Sequence, residues 1–111
     1  MAYAKADLFS IELQKCSELY KALAHPARLA ILKYLAETRT CITGDIADEL
    51  PLGRTTVNQH LKELKDAGLI KGTTEGVKTC YCLNPEKIKE LKEISEAFLN
   101  EINISADFDC N

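Results

Sequence analysis

The stretch that most constrains this chain runs over nineteen residues from Pro51 to Leu69, because it joins a narrow apolar seam to a polar face of unusual make-up. Val57, Leu61 and Leu64 recur at helical spacing, so they share one side and face a core. Thr55, Thr56, Asn58, Gln59 and Lys62 fall on the other sides. A helix that is merely solvated is built mostly from Glu and Lys, whereas short hydroxyl and amide side chains at a helix start reach base edges and phosphates in a major groove. The segment reads as a recognition helix. The bland alternative is an ordinary amphipathic helix with a polar start. Gly68 is the expected left-handed residue just past its end, and Leu69 can pack back onto it.

Beyond Gly68 the period changes from helical to alternating. Residues 69–73, a turn over Thr74, Glu75, Gly76 and Val77, and then residues 78–83 read as a two-stranded hairpin rich in Thr, Tyr and Val. A hairpin alone is marginal, so Ile70, Tyr81 and Leu83 are expected to lean on the helices. Asn84 and Pro85 cap and start a last helix, with Ile88, Leu91, Ile94 or Ser95, Phe98 and Ile102 on one stripe. Upstream, a first helix from about Asp7 to Ala24 carries Phe9, Leu13, Cys16, Tyr20 and Leu23 at spacings of three and four. After His25, Pro26 opens a second helix, Ala27 to Ala36, with Leu29, Leu32 and Leu35 inward. Thr43 is a suitable N-cap for a third, in which Asp45 favours the positive end and Ile46, Ala47 and Leu50 face inward before Pro51. Two short helices, a tight turn and a hairpin make a mainly α winged helix-turn-helix of about five helices with a two-stranded β wing.

Length bounds the rest. The 111 residues, 46% of them hydrophobic, suffice for one domain spanning 1–111. No run of about 18 apolar residues and no charged start followed by an apolar core is present, which predicts a soluble, cytoplasmic protein with no membrane partner. The net charge of −3 argues against a nucleic-acid partner only if it is spread evenly, and it is not. From Arg54 to Leu83 five basic residues face three acidic ones, whereas from Asn84 to Asn111 three face seven. Phosphate contact needs local positive charge, and the acidic tail need not touch a duplex. Arg54, Lys71 and Lys78 join Lys62 as phosphate-facing candidates, and Asn58 and Gln59 are the candidates for base edges.

At this point the residues resemble the ArsR/SmtB family of small winged-helix repressors. The likeness covers about Leu19 to Leu83 in four ordered blocks: LYKALAHPARLAIL, GDIADEL, TTVNQHLKELKDAGLI and a wing ending CYCL. It implies a homodimer that binds a two-fold operator in double-stranded DNA and lets go when an inducer binds. The outer helices, about 7–24 and 85–103, are then the dimer contact, with the helix-turn-helix at about 43–67 and the wing at about 69–83. The family's common sensor is a Cys-X-Cys pair beside the Asp that opens the third helix. Here Asp45 is preceded by Cys41-Ile42-Thr43-Gly44, so that site does not carry over, and residues 85–103 hold no His for a sensor of the last helix.

The five cysteines, Cys16, Cys41, Cys80, Cys82 and Cys110, are an odd, scattered set that does not read as a secreted disulfide framework. Cys80 and Cys82 sit two apart on a strand, on one face, with Cα atoms about 6.6 Å apart, near the upper limit for a direct disulfide. With Tyr81 and Leu83 inward, both thiols are expected outward, beside Lys78. Cys41 can add a third sulfur. Three thiolates without His suit a soft inducer, trivalent arsenic or antimony, or a soft divalent metal ion; Zn²⁺ needs a fourth ligand such as Cys16, Cys110 or His25. No resident cofactor is required. Oxidation of the same thiols is the alternative signal. Cys16 otherwise reads as packing and Cys110 as incidental, His60 as half-buried beside the seam, and His25 as orienting the Pro26 turn.

An enzyme would need a nucleophile joined to a base, and no local signature does so. A protein-interaction module on the same scaffold is the competing reading of another class. The polar start of the recognition segment speaks against it.

Overall fold

The computed structural model describes residues 7–38, 42–43, 46, 50–76 and 78–107. Among them the elements run α1 (Ile11–Leu23), α2 (Pro26–Thr38), β1 (Ile42–Thr43), α3 (Arg54–Asp66), β2 (Ile70–Glu75), β3 (Lys78–Leu83) and α4 (Pro85–Glu101). The described residues thus hold four α-helices rather than about five. The expected third helix falls largely outside them, and Thr43, expected as its N-cap, pairs in β1 instead. Ile46 is 2% exposed and Leu50 is half-buried, as their inward assignment requires.

Local chemistry sets the helix bounds. α1 starts at Ile11 rather than near Asp7, because the Ser10 hydroxyl accepts from the Leu13 N–H at 3.2 Å and so caps the first turn. α2 begins on Pro26 and continues to Thr38, two residues past the expected end. α3 is entered from extended Gly53 with no side-chain cap, and it ends in paired backbone bonds, Gly68 N–H to the Lys65 carbonyl at 2.9 Å and Leu69 N–H to that of Leu64 at 3.0 Å. Gly68 has φ +81°, which only glycine adopts without strain, and Leu69 is fully buried as anticipated.

Strands β2 and β3 form the wing, antiparallel from Ile70↔Leu83 to Glu75↔Lys78. That register carries pairing through Thr74 and Glu75, which the sequence predicts to lie in the turn, and Gly76 follows with φ +64°. The sheet has three strands, in the order β1-β3-β2, because β1 pairs on the far side of β3 with Ile42↔Tyr81 and Thr43↔Cys80.

The core gathers Leu19 and Ala22 of α1, Ile31 and Leu35 of α2, Ile46, Val57, Leu61 and Leu64 of α3, and Leu69 and Ile70. Tyr81, Leu83, Ile88, Leu91 and Ile94 pack against its edge. The inward residues of the first two helices differ from those expected. In α1 they are Cys16, Leu19 and Ala22, while Phe9, Leu13 and Tyr20 lie exposed. In α2 they are Ala27, Ile31 and Leu35, a strict four-residue repeat that leaves Leu29 exposed. Both helices carry more apolar residues than the core has room for. α4 runs along α1, where the Tyr20 hydroxyl donates to Ser95 Oγ at 3.0 Å and the Tyr20 and Phe98 rings meet edge to face. It buries no residue fully. No helix among the described residues is long and apolar enough to cross a membrane.

Candidate nucleic-acid interface

The core divides α3 cleanly into two sides. Val57, His60, Leu61 and Leu64 are buried. Arg54, Thr55, Thr56, Asn58, Gln59 and Lys62 are all exposed, as the sequence predicts. The first turn holds no acidic residue, and its unpaired backbone N–H groups add partial positive charge beside Arg54. Lys62 makes a single exposed ion pair with Asp66 at 3.7 Å, a contact weak enough in water for a phosphate to displace. Lys71 stands exposed on β2 immediately after the helix. Of Lys78, the backbone lies in β3 and the side chain falls outside the described residues. A short polar helix start flanked by cations at both ends is what a groove needs: amide and hydroxyl groups for base edges, and guanidinium and ammonium groups for the backbone on either side.

Behind this surface lies a polar contact that the sequence does not announce. Arg28, in the first turn of α2, donates from Nε to His60 Nδ1 at 3.2 Å, and from Nη1 to the Ala22 carbonyl at 3.1 Å and the Lys21 carbonyl at 3.4 Å. The His25 ring lies 4.3 Å from that of His60, centroid to centroid, and His25 Nδ1 accepts from the Ala27 N–H at 3.0 Å. His25 therefore orients the Pro26 turn, as expected. His60 is 8% exposed. Burial holds its imidazole below the usual histidine range, and the neighbouring His25 and Arg28 charges act in the same sense.

The cysteines are arranged differently from the expectation. Tyr81 and Leu83 do face the core, which puts Cys80 and Cys82 on the other side of β3. Cys80 is nevertheless only 6% exposed, and Cys82 is half-buried, so the two thiols are not both outward. β3 is central rather than an edge, and Cys80 is flanked by Thr43 on one side and Thr73 on the other. Lys71 lies directly opposite Cys82 and is an exposed cation on that thiol's face. Cys16 is buried on α1, matching its packing role, while Cys41 and Cys110 lie outside the described residues. Among the described residues no cluster of three or more His, Cys, Asp or Glu is placed to hold a metal ion.

Comparison with known proteins agrees with this geometry. A helix-turn-helix domain family model matches residues 23–73. The chain is 38% identical over 78 residues to the HTH-type transcriptional regulator MJ1325 of Methanocaldococcus jannaschii, covering 70% of this chain and 88% of that one. It is 35% identical over 80 residues to the arsenical resistance operon repressor of Bacillus subtilis, covering 71% and 75%. Among solved structures, the ArsR family transcriptional regulator RHA00566 superposes with a TM-score of 0.65 at 26% identity, covering 79% of this chain and 86% of that chain. Neither relative nor the solved structure is an enzyme by name. With its two-sided α3, its wing and these likenesses, the chain belongs to the ArsR/SmtB family of helix-turn-helix transcriptional regulators.

Proposed function

We propose that this chain is a cytoplasmic, homodimeric repressor that reads a two-fold operator with α3 and releases it when a thiophilic inducer reaches the wing cysteines. The observation that carries the reading is the division of α3: Arg54, Thr55, Thr56, Asn58, Gln59 and Lys62 are exposed, and every apolar residue is buried. Asn58 and Gln59 take the base edges. Arg54, Thr55, Thr56 and Lys62 hold phosphates at the helix, and Lys71 and Lys78 do so on the wing.

Dimerisation is supported by what the chain leaves uncovered. Phe9, Ile11, Leu13, Leu99 and Ile102 are 61%, 60%, 44%, 55% and 54% exposed along the two outer helices. The radius of gyration is 17.0 Å, where a compact chain of this length has about 13 Å. A second copy across α1 and α4 buries these residues and sets two reading helices about 34 Å apart, one duplex turn.

The inducer site is assigned to Cys41, Cys80 and Cys82. Cys80 and Cys82 share one face of β3, and Ile42, the covalent neighbour of Cys41, pairs with Tyr81 between them. Sulfur without imidazole favours As(III), Sb(III) or a soft divalent metal ion. Because β2 follows α3 after three residues, a ligand that draws on β3 acts on the element next to the reading helix, and its binding weakens the operator complex by linkage. The relative named as an arsenical resistance operon repressor supports the metalloid choice.

The test is release of a bound duplex by arsenite, antimonite, Cd²⁺, Zn²⁺ and peroxide, on the native chain and on Cys41→Ser and Cys80→Ser/Cys82→Ser variants. Release of the native complex by the metalloids, lost in both variants, is expected. Release by peroxide alone replaces the metalloid with an oxidant, and equal release in all three chains removes the thiol site altogether.

A further inference from the structure

The contact behind the reading surface links three helices through one side chain. Arg28 sits on α2, its Nη1 reaches carbonyls in the last turn of α1, and its Nε reaches an inward side chain of α3. The carbonyls at a helix C-terminus lack partners within the helix and carry partial negative charge, so a guanidinium there is held from both sides. We propose that Arg28 and His60 are positioning residues for operator reading, the guanidinium clasping the end of α1 and the imidazole of α3 and so fixing the rotation of α3 about its axis. The proposal rests on α3 being the reading helix. His60 adjoins Asn58 and Gln59 in sequence, and a small rotation at His60 displaces both amide groups relative to base edges.

The geometry also fixes a protonation state. Guanidinium donates and never accepts, so His60 Nδ1 must be the bare nitrogen and the proton must sit on Nε2. A second proton, on Nδ1, removes the acceptor and sets two positive groups at 3.2 Å. The other charged groups near the pair are His25 at the α1–α2 corner, Lys21 and Glu18 on α1, and Lys62, Glu63 and Asp66 on α3. The neighbouring His25, its ring tilted 44° to that of His60, offers no acceptor to a protonated His60 through Nδ1, which is already occupied by the Ala27 N–H. The clasp therefore holds when His60 is neutral and opens when it is protonated.

Two variants separate positioning from packing. His60→Asn places an amide oxygen where Nδ1 stands and cannot titrate; His60→Leu fills similar space and accepts nothing. Fluorescence anisotropy is run on both and on the wild type, against a duplex selected from a random pool with the wild-type chain and against a scrambled duplex of the same length. At about pH 7.5, His60→Leu is expected to lose its preference for the selected duplex by at least about tenfold while its grip on the scrambled duplex is unchanged, and His60→Asn is expected to match the wild type. At about pH 5.5 the wild type loses part of that preference and His60→Asn does not. Undiminished preference in His60→Leu, an equal fall on both duplexes, or one pH profile shared by wild type and His60→Asn overturns the proposal. Should His60→Leu fail to fold, the comparison of wild type with His60→Asn decides alone. A pool from which the wild type selects nothing, with no salt-dependent binding, overturns the reading of α3 as well, whereas normal wild-type selection with indifferent variants overturns only the clasp.

Discussion

The proposed reading helix α3 and the outer helices α1 and α4 are all amphipathic, yet only α3 has its two sides settled within one chain. In α3 four inward residues are buried and the polar residues of the opposite sides are all exposed. In α4 a stripe of Ile88, Leu91 and Ile94 only leans on the core, nothing is fully buried, and Leu99 and Ile102 remain over half exposed. Exposed apolar residues are normal singly, whereas several gathered on two neighbouring helices are what the proposed partner surface needs. α3 is therefore complete in the single chain, whereas the outer pair keeps apolar residues uncovered, which the proposed dimer would bury.

This contrast can be broken most forcefully on the outer face. Leu13→Glu/Leu99→Glu is expected to leave helix content unchanged by circular dichroism, to shift the protein to monomer in sedimentation equilibrium, and to lower operator affinity by about 10²–10⁴, the advantage of linking two half-sites. Retained dimer would make the outer face ordinary surface. Next in size, Leu64→Ala, at a site with no exposure, is expected to cost about 2–5 kcal/mol in denaturant unfolding, while Leu99→Ala in the isolated monomer costs far less. Equal costs would erase the distinction between the two regions. Gln59→Ala is smaller again: a loss of about 1–3 kcal/mol on the operator and little on scrambled sequence, read by competitive binding. Arg54→Ala and Lys71→Ala should each weaken all duplexes alike and reduce the salt slope by about one.

The smallest effect is on pH. His60 titrates below its unfolded value of 6.5 in the folded chain, so the neutral form is the favoured one. Its contribution to stability is complete above about pH 6.5 and is lost as pH falls from there through the depressed native value. Thermal melts of wild type and His60→Asn should diverge over that interval and nowhere else.

How much the sequence reveals follows the same division. The faces of α3, its stop at Gly68, the Pro26 and Pro85 helix starts and the β2–β3 hairpin all follow from short-range spacing and turn chemistry. The inward faces of α1 and α2 do not. Each carries apolar residues on two sides, and spacing alone cannot say whether Leu13 or Leu19, Leu29 or Ile31, meets the chain's own core. β1 is two residues long, too short to display a period, and its partner lies 39 residues away, as the Ile42 and Tyr81 pairing shows. Strand alternation places Cys80 on the face away from Tyr81 and Leu83, but alternation alone does not say how far that face is covered. Asn84 is the N-cap of α4 as the sequence predicts, but its side chain does not cap the helix; its Nδ2 donates to the Gly68 carbonyl at 2.9 Å and ties α4 to the end of α3. The Arg28 and His60 contact spans 32 residues between side chains that belong to no shared repeat, so only the folded chain brings it together.

The central claim, a symmetric pair of α3 helices entering one duplex, is tested most directly by a hydroxyl-radical footprint on the selected operator. Two protected half-sites with centres about 34 Å apart, related by the two-fold of the sequence, are the predicted result. A single protected patch, or uniform cleavage at protein concentrations that retard the duplex, would contradict it.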